Sequence, residues 1–343
     1  MDKEKIKMDS FSKIELSIVT PMYNEAENIE TTINRLTLAM KDFPGKWEMI
    51  FVNDGSTDKT LEIARAFEKK IDNLIIASYP LNKGRGRALK TGFKKARGRY
   101  IVSTDFDLSY SPDHILKIYK ELSDPDQMND IVLGSAYMPG GETKGVSALR
   151  LFISKTGNNI LQFAFPKKIY TSTCILRGYK RKALKSLEFE SDRKEIHLEI
   201  LSKAFATGLT IKEIPAVLES RKQGSSKFKF KRTALTHILF SLFEKPIFVF
   251  GAIGGALSLA GFFIGLYIAW ERFSGSLSPD RPLIPLMILL LVVGTQFLCF
   301  AFIASQNIFL RNEMFRLQRQ MNILKNIIQL LVMEGHYPLI NQK

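Results

Sequence analysis

Asp105 and Asp107 close the stretch IVSTDFD, with one phenylalanine between them. Two carboxylates so close repel unless a cation lies between them or they sit at the wet end of a strand. Alternate residues of a strand share a face, so both side chains reach one point if the strand ends there. Hard divalent cations take oxygen ligands and usually share them with substrate phosphates. The pair therefore reads as a Mg2+ or Mn2+ site for a diphosphate. The competing reading is a cap on the helix that begins at SPDHILKIYKEL. Ser111 and Asp113 already supply caps there, which leaves Asp105 without a role.

The composition agrees with an anionic partner. The chain has 343 residues and a formal net charge of +15. Such a balance suits nucleic acid, lipid headgroups or phosphorylated substrates. Much of the charge flanks apolar segments near the C-terminus, which favours lipid and phosphate over nucleic acid. The two cysteines, Cys174 and Cys299, form no disulfide framework and no metal-ligand spacing, as expected in a reducing compartment. The N-terminal MDKEKIKMDSFSKIE is charged and lacks the apolar core of a signal peptide.

The elements that must hold the aspartates follow from patterning. LSIVTPMYN, WEMIFVNDGS, NLIIASYP and YIVSTDFD are apolar runs that end in turns. Helical patterns separate them, the first with Asn24 as its expected cap. Continuous apolar strands alternating with helices predict an α/β fold with a mostly parallel sheet covered on both faces. Ligands bind such sheets beyond the carboxyl ends of the strands. PMYNE, NDGSTD, NKGRGRA and DFD all fall there and make one rim. Gly84 and Gly86 lack the third glycine of a dinucleotide fingerprint and follow the third strand, which argues against a Rossmann NAD site. Glycines at a helix start still let backbone amides approach a ligand.

The chain changes character near Lys245. Pro246 to Trp270 is uncharged, and so is Pro282 to about Leu310. A spanning helix needs roughly 20 apolar residues, so a hairpin of two transmembrane helices is expected, at about 246–270 and 282–308. Basic residues flank it in RKQGSSKFKFKR and at Arg311, Arg316, Arg319 and Lys325. By the distribution of lysine and arginine, both termini and the domain at 1–230 face the cytoplasm. Residues 231–245 read as an interfacial helix and 311–343 as an amphipathic tail. The hairpin and the tail are candidate contacts for a homo-oligomer.

The ordered set SIVTPMYNEAENI, FVNDGSTDKT, NKGRGRA, DFD and ESRKQGSSKFK, followed by a membrane hairpin, resembles family 2 glycosyltransferases. Within them it looks most like the dolichyl- and polyprenyl-phosphate mannose and glucose synthases. The resemblance implies a GT-A fold and inverting transfer of a hexose from a nucleotide sugar to a membrane polyprenyl phosphate. GDP-mannose is the first expected donor and UDP-glucose the second. The resemblance also implies site roles. Pro21, Tyr23, Glu25 and Asp54 would line the base and ribose pocket, beside Lys83 and Arg85. Asp105 and Asp107 would hold the metal, with Gln223 completing its coordination. Arg221, Ser226 and Lys227 would lie near the diphosphate, and Arg150 would receive the lipid phosphate.

Some positions depart from the family pattern. Ala136 stands where GSRY has arginine, so the acceptor phosphate is expected to lean on Arg150, Ser135 and a second cation, Lys155 or Lys144. TSTCILRGY replaces D-x-x-x-G-F-[RK] and keeps Arg177. Glu195, His197 and Glu199 fall on the helix that usually closes the sugar site, with His197 expected to partner a neighbouring acid. The rival readings are a processive polysaccharide synthase, whose Q-x-x-R-W stretch is absent, and a non-catalytic membrane scaffold, against which the intact acidic motifs argue.

Overall fold

A computed structural model describes residues 14–162, 164–220, 244–275 and 282–333. Four apolar runs form β1 (Leu16–Met22), β2 (Trp47–Asp54), β3 (Leu74–Tyr79) and β4 (Tyr100–Ser103), all parallel. Between them lie α1 (Ile29–Ala39), α2 (Thr60–Glu68) and α3 (Arg85–Lys95). Crossover helices cover both faces of such a sheet. Ile18, Val19, Ile50, Phe51, Ile101 and Val102 are accordingly fully buried.

The second half adds α4 (Asp113–Ser123), β5 (Ile131–Ser135), β6 (Glu142–Lys144), α5 (Ala148–Gln162), β7 (Arg177–Lys180), α6 (Arg181–Lys185), α7 (Ile196–Ala206), β8 (Ile211–Pro215) and β9 (Val217–Glu219). The main sheet has seven strands in the order β3-β2-β1-β4-β7-β5-β8. Among the described strands of this sheet only β7 runs antiparallel, between β4 and β5. β6 and β9 form a separate two-stranded parallel ribbon. This mixed, mostly parallel sheet is the GT-A arrangement.

Two helix starts differ from the sequence expectation. Asn24 does not cap α1; it takes a left-handed conformation at φ 53. Its backbone N–H donates to Ser56 Oγ at 3.0 Å, and its Oδ1 accepts from Thr57 N at 2.9 Å. It thus ties the turn after β1 to the turn after β2, and a short 3-10 turn, Ala26–Asn28, precedes α1. At α4, Ser111 Oγ donates to Asp113 Oδ2 at 2.8 Å and caps no backbone amide.

Two long helices make up most of the described part of the second compact unit. It holds α8 (Pro246–Phe273) and α9 (Leu283–Met333), the latter as far as Met314. Their most apolar windows have mean hydropathy 2.2 and 2.6, with 11% of each window buried. Both helices are long and apolar enough to cross a bilayer, and so little burial distinguishes them from covered core helices. They pack closely because Gly294 has no side chain. A Cβ there would lie 2.4 Å from Ser258 Oγ and 3.0 Å from Gly254 O. α9 continues unbroken to Met333, so residues 311–333 of the expected tail extend this helix, and residues 334–343 lie outside the described residues.

Candidate active site at the carboxyl ends of the strands

The parallel register of β1, β2, β3 and β4 brings their carboxyl ends to one edge. Just past the end of β4 the chain resolves the aspartate spacing. Phe106 turns inward, 3% exposed, with its ring edge-on to Phe51 at 5.0 Å. Its carbonyl accepts from Thr32 Oγ1 at 2.7 Å. Anchoring Phe106 in the core leaves the carboxylates on either side of it for the rim. Leu108 is then forced to φ 48, and Asp107 Oδ1 accepts from Ser109 N at 3.0 Å and Ser109 Oγ at 2.6 Å.

Asp105 Oδ1 pairs with Arg85 Nη2 at 3.2 Å. Arg85 opens α3, whose preceding turn is built on Asp54. Asp54 is 4% exposed. Its Oδ1 accepts from Tyr79 Oη at 2.7 Å and Lys83 N at 2.8 Å, and its Oδ2 from Gly84 N at 2.9 Å. Burial, then the bond to Asp54, pushes the Tyr79 hydroxyl well above its ordinary pKa. Asp54 thus shapes the turn that carries Lys83 and Arg85. Pro21, Tyr23 and Glu25 lie half-buried on the same edge. Glu25 Oε2 accepts from Asn28 Nδ2 at 2.6 Å.

The glycines of NKGRGRA serve packing. A Cβ on Gly86 would meet Arg193 O and Ser191 O at 2.6 Å, and one on Gly84, at φ +102, would meet Asp192 O at 2.8 Å. They let the segment before α7 lie directly on the start of α3. Arg87 N donates to Asp192 O at 3.0 Å, and Lys90 Nζ pairs with Asp192 Oδ1 at 2.6 Å. From the other side Glu199 accepts from Glu190 N at 2.7 Å and Ser191 N at 2.8 Å, and Lys203 Nζ bonds Glu199 at 2.8 Å.

That clamped segment delivers Lys194, which sequence reading passed over inside the charged run SDRKE. Burial, reinforced by Arg85, lowers its ammonium pKa; Asp105 and Glu195 oppose this, and Arg150 adds to it. Asp105, Arg85, Lys194, Glu195 and Arg150 thus share one electrostatic neighbourhood. Lys155 lies on α5 about 140° around the axis from Arg150 at 100° per residue, so the two do not share a helix face. Ser135 is fully buried and hydrogen-bonded to Thr171 Oγ1 at 2.7 Å; its hydroxyl is not presented to solvent. Arg221, Gln223, Ser226 and Lys227 lie outside the described residues.

Among the described residues His197 has no acidic partner. It is 1% exposed, and neither ring nitrogen has a hydrogen bond among the described residues. Burial, then Arg177, Arg85 and Lys194, hold its pKa well below the usual range, so the ring is neutral. Its backbone carbonyl instead accepts from Arg177 Nη1 at 2.8 Å. Arg177, fully buried, also donates to Cys174 O at 2.8 Å and Ser172 O at 2.5 Å. It ties the 172–174 turn to α7.

The donor chemistry at the end of β4 fits a hard divalent cation: two carboxylates on one turn, in a site rich in cations for phosphate. Among the described residues no third carboxylate, histidine or cysteine joins them, so a metal there would take its other ligands from substrate, water or residues beyond those described.

Comparison with known proteins agrees with this geometry. The family model described as "Glycosyl transferase family 2" matches residues 17–188. A dodecaprenyl-phosphate galacturonate synthase of Rhizobium johnstonii is 28% identical over 310 residues, 87% of this chain and 88% of that one. An undecaprenyl-phosphate 4-deoxy-4-formamido-L-arabinose transferase of Pectobacterium atrosepticum is 27% identical over 287 residues, 82% of this chain and 84% of that one. Among solved structures, glucosyl-3-phosphoglycerate synthase of Mycobacterium tuberculosis with Mn2+ and UDP-glucose superposes with TM-score 0.52 at 20% identity, covering 67% of this chain and 79% of that one. That likeness concerns the fold. With the GT-A sheet, the acidic turn after β4 and the family match over half its length, the chain belongs to glycosyl transferase family 2.

Proposed function

We propose that this enzyme transfers a sugar from a nucleotide-diphosphate sugar to a polyprenyl phosphate held in a bilayer. The observation that carries the reading is the turn after β4, where Asp105 pairs with Arg85 and where Arg85, Asp105 and Arg150 all act on the charge of Lys194. Carboxylates suit a metal diphosphate, and the surrounding cations suit a second, phosphate-bearing substrate. The names of the two relatives support a polyprenyl-phosphate acceptor. α8 and α9 would anchor the enzyme where that acceptor resides, with the catalytic unit on the cytoplasmic face.

The chemistry places few demands on a base. A hydroxyl nucleophile needs proton abstraction, but a phosphate monoester, with a second pKa of about 6, arrives as an anion. Asp54 fixes the turn that presents Lys83 and Arg85 to the donor diphosphate. Arg150 holds and orients the nucleophilic phosphate. Asp105 and Asp107, with Gln223, would hold Mg2+ or Mn2+, which when bound supplies charge stabilisation for the departing nucleotide diphosphate. Arg221 and Lys227 would add positive charge to the same leaving group. Neutral His197, sealed in the core, is not assigned as a base.

GDP-mannose and dolichyl phosphate are donor and acceptor by resemblance alone. The relatives are named for galacturonate on dodecaprenyl phosphate and 4-deoxy-4-formamido-L-arabinose on undecaprenyl phosphate, which supports testing nucleotide-linked uronic and formamido sugars alongside GDP-mannose and UDP-glucose. The test is purified protein with each radiolabelled nucleotide sugar, a polyprenyl phosphate and Mn2+ or Mg2+. Label should enter the lipid extract with one donor and stop with EDTA. Nucleotide binding without any lipid-extractable product across the panel would favour the non-catalytic scaffold.

A further inference from the structure

α9 carries a stripe that the transfer reaction does not use. Leu289, Val292, Gln296, Cys299, Ile303 and Gln306 follow one another at spacings of three and four. That repeat keeps one seam of a helix against a partner helix. All six are exposed, Leu289 at 59%, Val292 at 51% and Ile303 at 54%. The stripe points away from α8, because Gly294 marks the inner face of α9 against Ser258 and Gly254. At 100° per residue Gln296 lies about 200° around from Gly294, and Cys299 about 140°. A groove of about 550 Å³ runs along this side, lined by Val292, Gln296, Cys299 and Phe300 among others.

Gln296 sets what can cover the stripe. It sits midway between Pro282 and Leu310, the ends of the uncharged run. Thr295 beside it satisfies its hydroxyl on Leu291 O at 2.7 Å. The Gln296 carboxamide has no hydrogen-bond partner among the described residues. In hydrocarbon an unpaired amide is strongly disfavoured, and acyl or prenyl chains offer it nothing. A second amide does, since each carries both donors and an acceptor. Two copies inserted with the same topology place the same residue at the same depth on either side of a twofold axis.

We propose that α9 pairs with α9 of a second copy of this chain through the 289–306 stripe. The dimer is parallel, and a hydrogen-bonded pair of Gln296 side chains fixes its register at mid-membrane. The proposal rests on the reading of α9 as membrane-spanning.

Cys299, one turn from Gln296, gives a native reporter. Treating membranes that contain the full-length protein with copper–phenanthroline, which takes up the two electrons as two thiols join, should yield a disulfide-linked dimer that a reductant reverses. Cys299→Ser should abolish it. In that background Val292→Cys and Ile303→Cys should restore it. Leu286→Cys and Phe309→Cys, exposed but roughly 110° to either side, should not. Gln296→Leu should weaken dimerisation roughly five- to tenfold. Equal cross-linking at 303 and 309, or no effect of Gln296→Leu, would overturn the proposal. Release of the protein from membranes by alkaline carbonate would instead remove the membrane-spanning reading beneath it.

Discussion

Arg85 Nη2 lies 3.2 Å from Asp105 Oδ1, joining the turn after β3 to the turn after β4. The contact couples a cation proposed to meet the donor diphosphate to a carboxylate proposed to hold the metal. Asp107 Oδ1 is held by Ser109, accepting from its N–H and its Oγ. Asp107→Ala should lower transfer by about 10²- to 10³-fold, the scale of losing a transition-state charge contact. The circular dichroism spectrum and membrane association should stay as in the parent. Full activity of this variant in EDTA would refute the metal assignment.

Asp54 is expected to act through the turn it shapes. Asp54→Ala strands the Tyr79 hydroxyl and the amides of Lys83 and Gly84, which should cost about 2–4 kcal/mol of stability. Asp54→Asn keeps an acceptor and should be milder in thermal melts. Both should raise KM for the nucleotide sugar more than they lower kcat. A donor KM unchanged in a folded variant would contradict this role.

Gly86→Ala should push the 191–193 segment off α3, because its Cβ would meet two carbonyl oxygens at 2.6 Å. A destabilisation of about 1–3 kcal/mol is expected, with Lys194 displaced as well. Denaturant titration and the transfer assay together check it. If the variant melts and turns over like the parent, the packing role of this glycine is wrong.

Arg177→Met should destabilise by about 2–4 kcal/mol, the scale for leaving buried carbonyls without their hydrogen-bond donor. It leaves the carbonyls of Ser172, Cys174 and His197 without their donor. Loss of fold, read by proteolysis, should accompany any loss of activity. A stable but inactive variant would move Arg177 into the chemistry.

Glu199 gives a pH signature. Burial raises its pKa, but bonds from Lys203 and from the Glu190 and Ser191 amides outweigh this and leave it below the ordinary carboxylate value. Its stabilisation is present above that ordinary value and is lost as pH falls through the lowered one. Glu199→Gln should therefore cost about 1–2 kcal/mol near neutral pH and progressively less in acid. A stability difference independent of pH down to the acid limit would exclude the ion pair as its source.

The sheet core and the rim were legible because β1 to β4 are continuous apolar runs ending in polar turns. The role of β7 was not. RGYK carries two basic residues in four positions and becomes a strand only because β4 and β5 pair with it on both sides. Lys194 was hidden for a related reason: SDRKE looks like a solvated charge run until Gly84 and Gly86 bring it onto α3. His197 was expected beside an acid because a lone polar residue on an apolar face normally has a partner; its neighbours are cations.

The single antiparallel strand also dictates an order of events during synthesis. β1 to β4 can assemble from contiguous chain, but β5 and β8 join them only through β7, since Ser103 pairs with Arg177 and Leu133 pairs with that same residue. A nascent chain that stops short of Lys180 therefore exposes an open β4 edge, and this long loop closure is the expected slow step of folding.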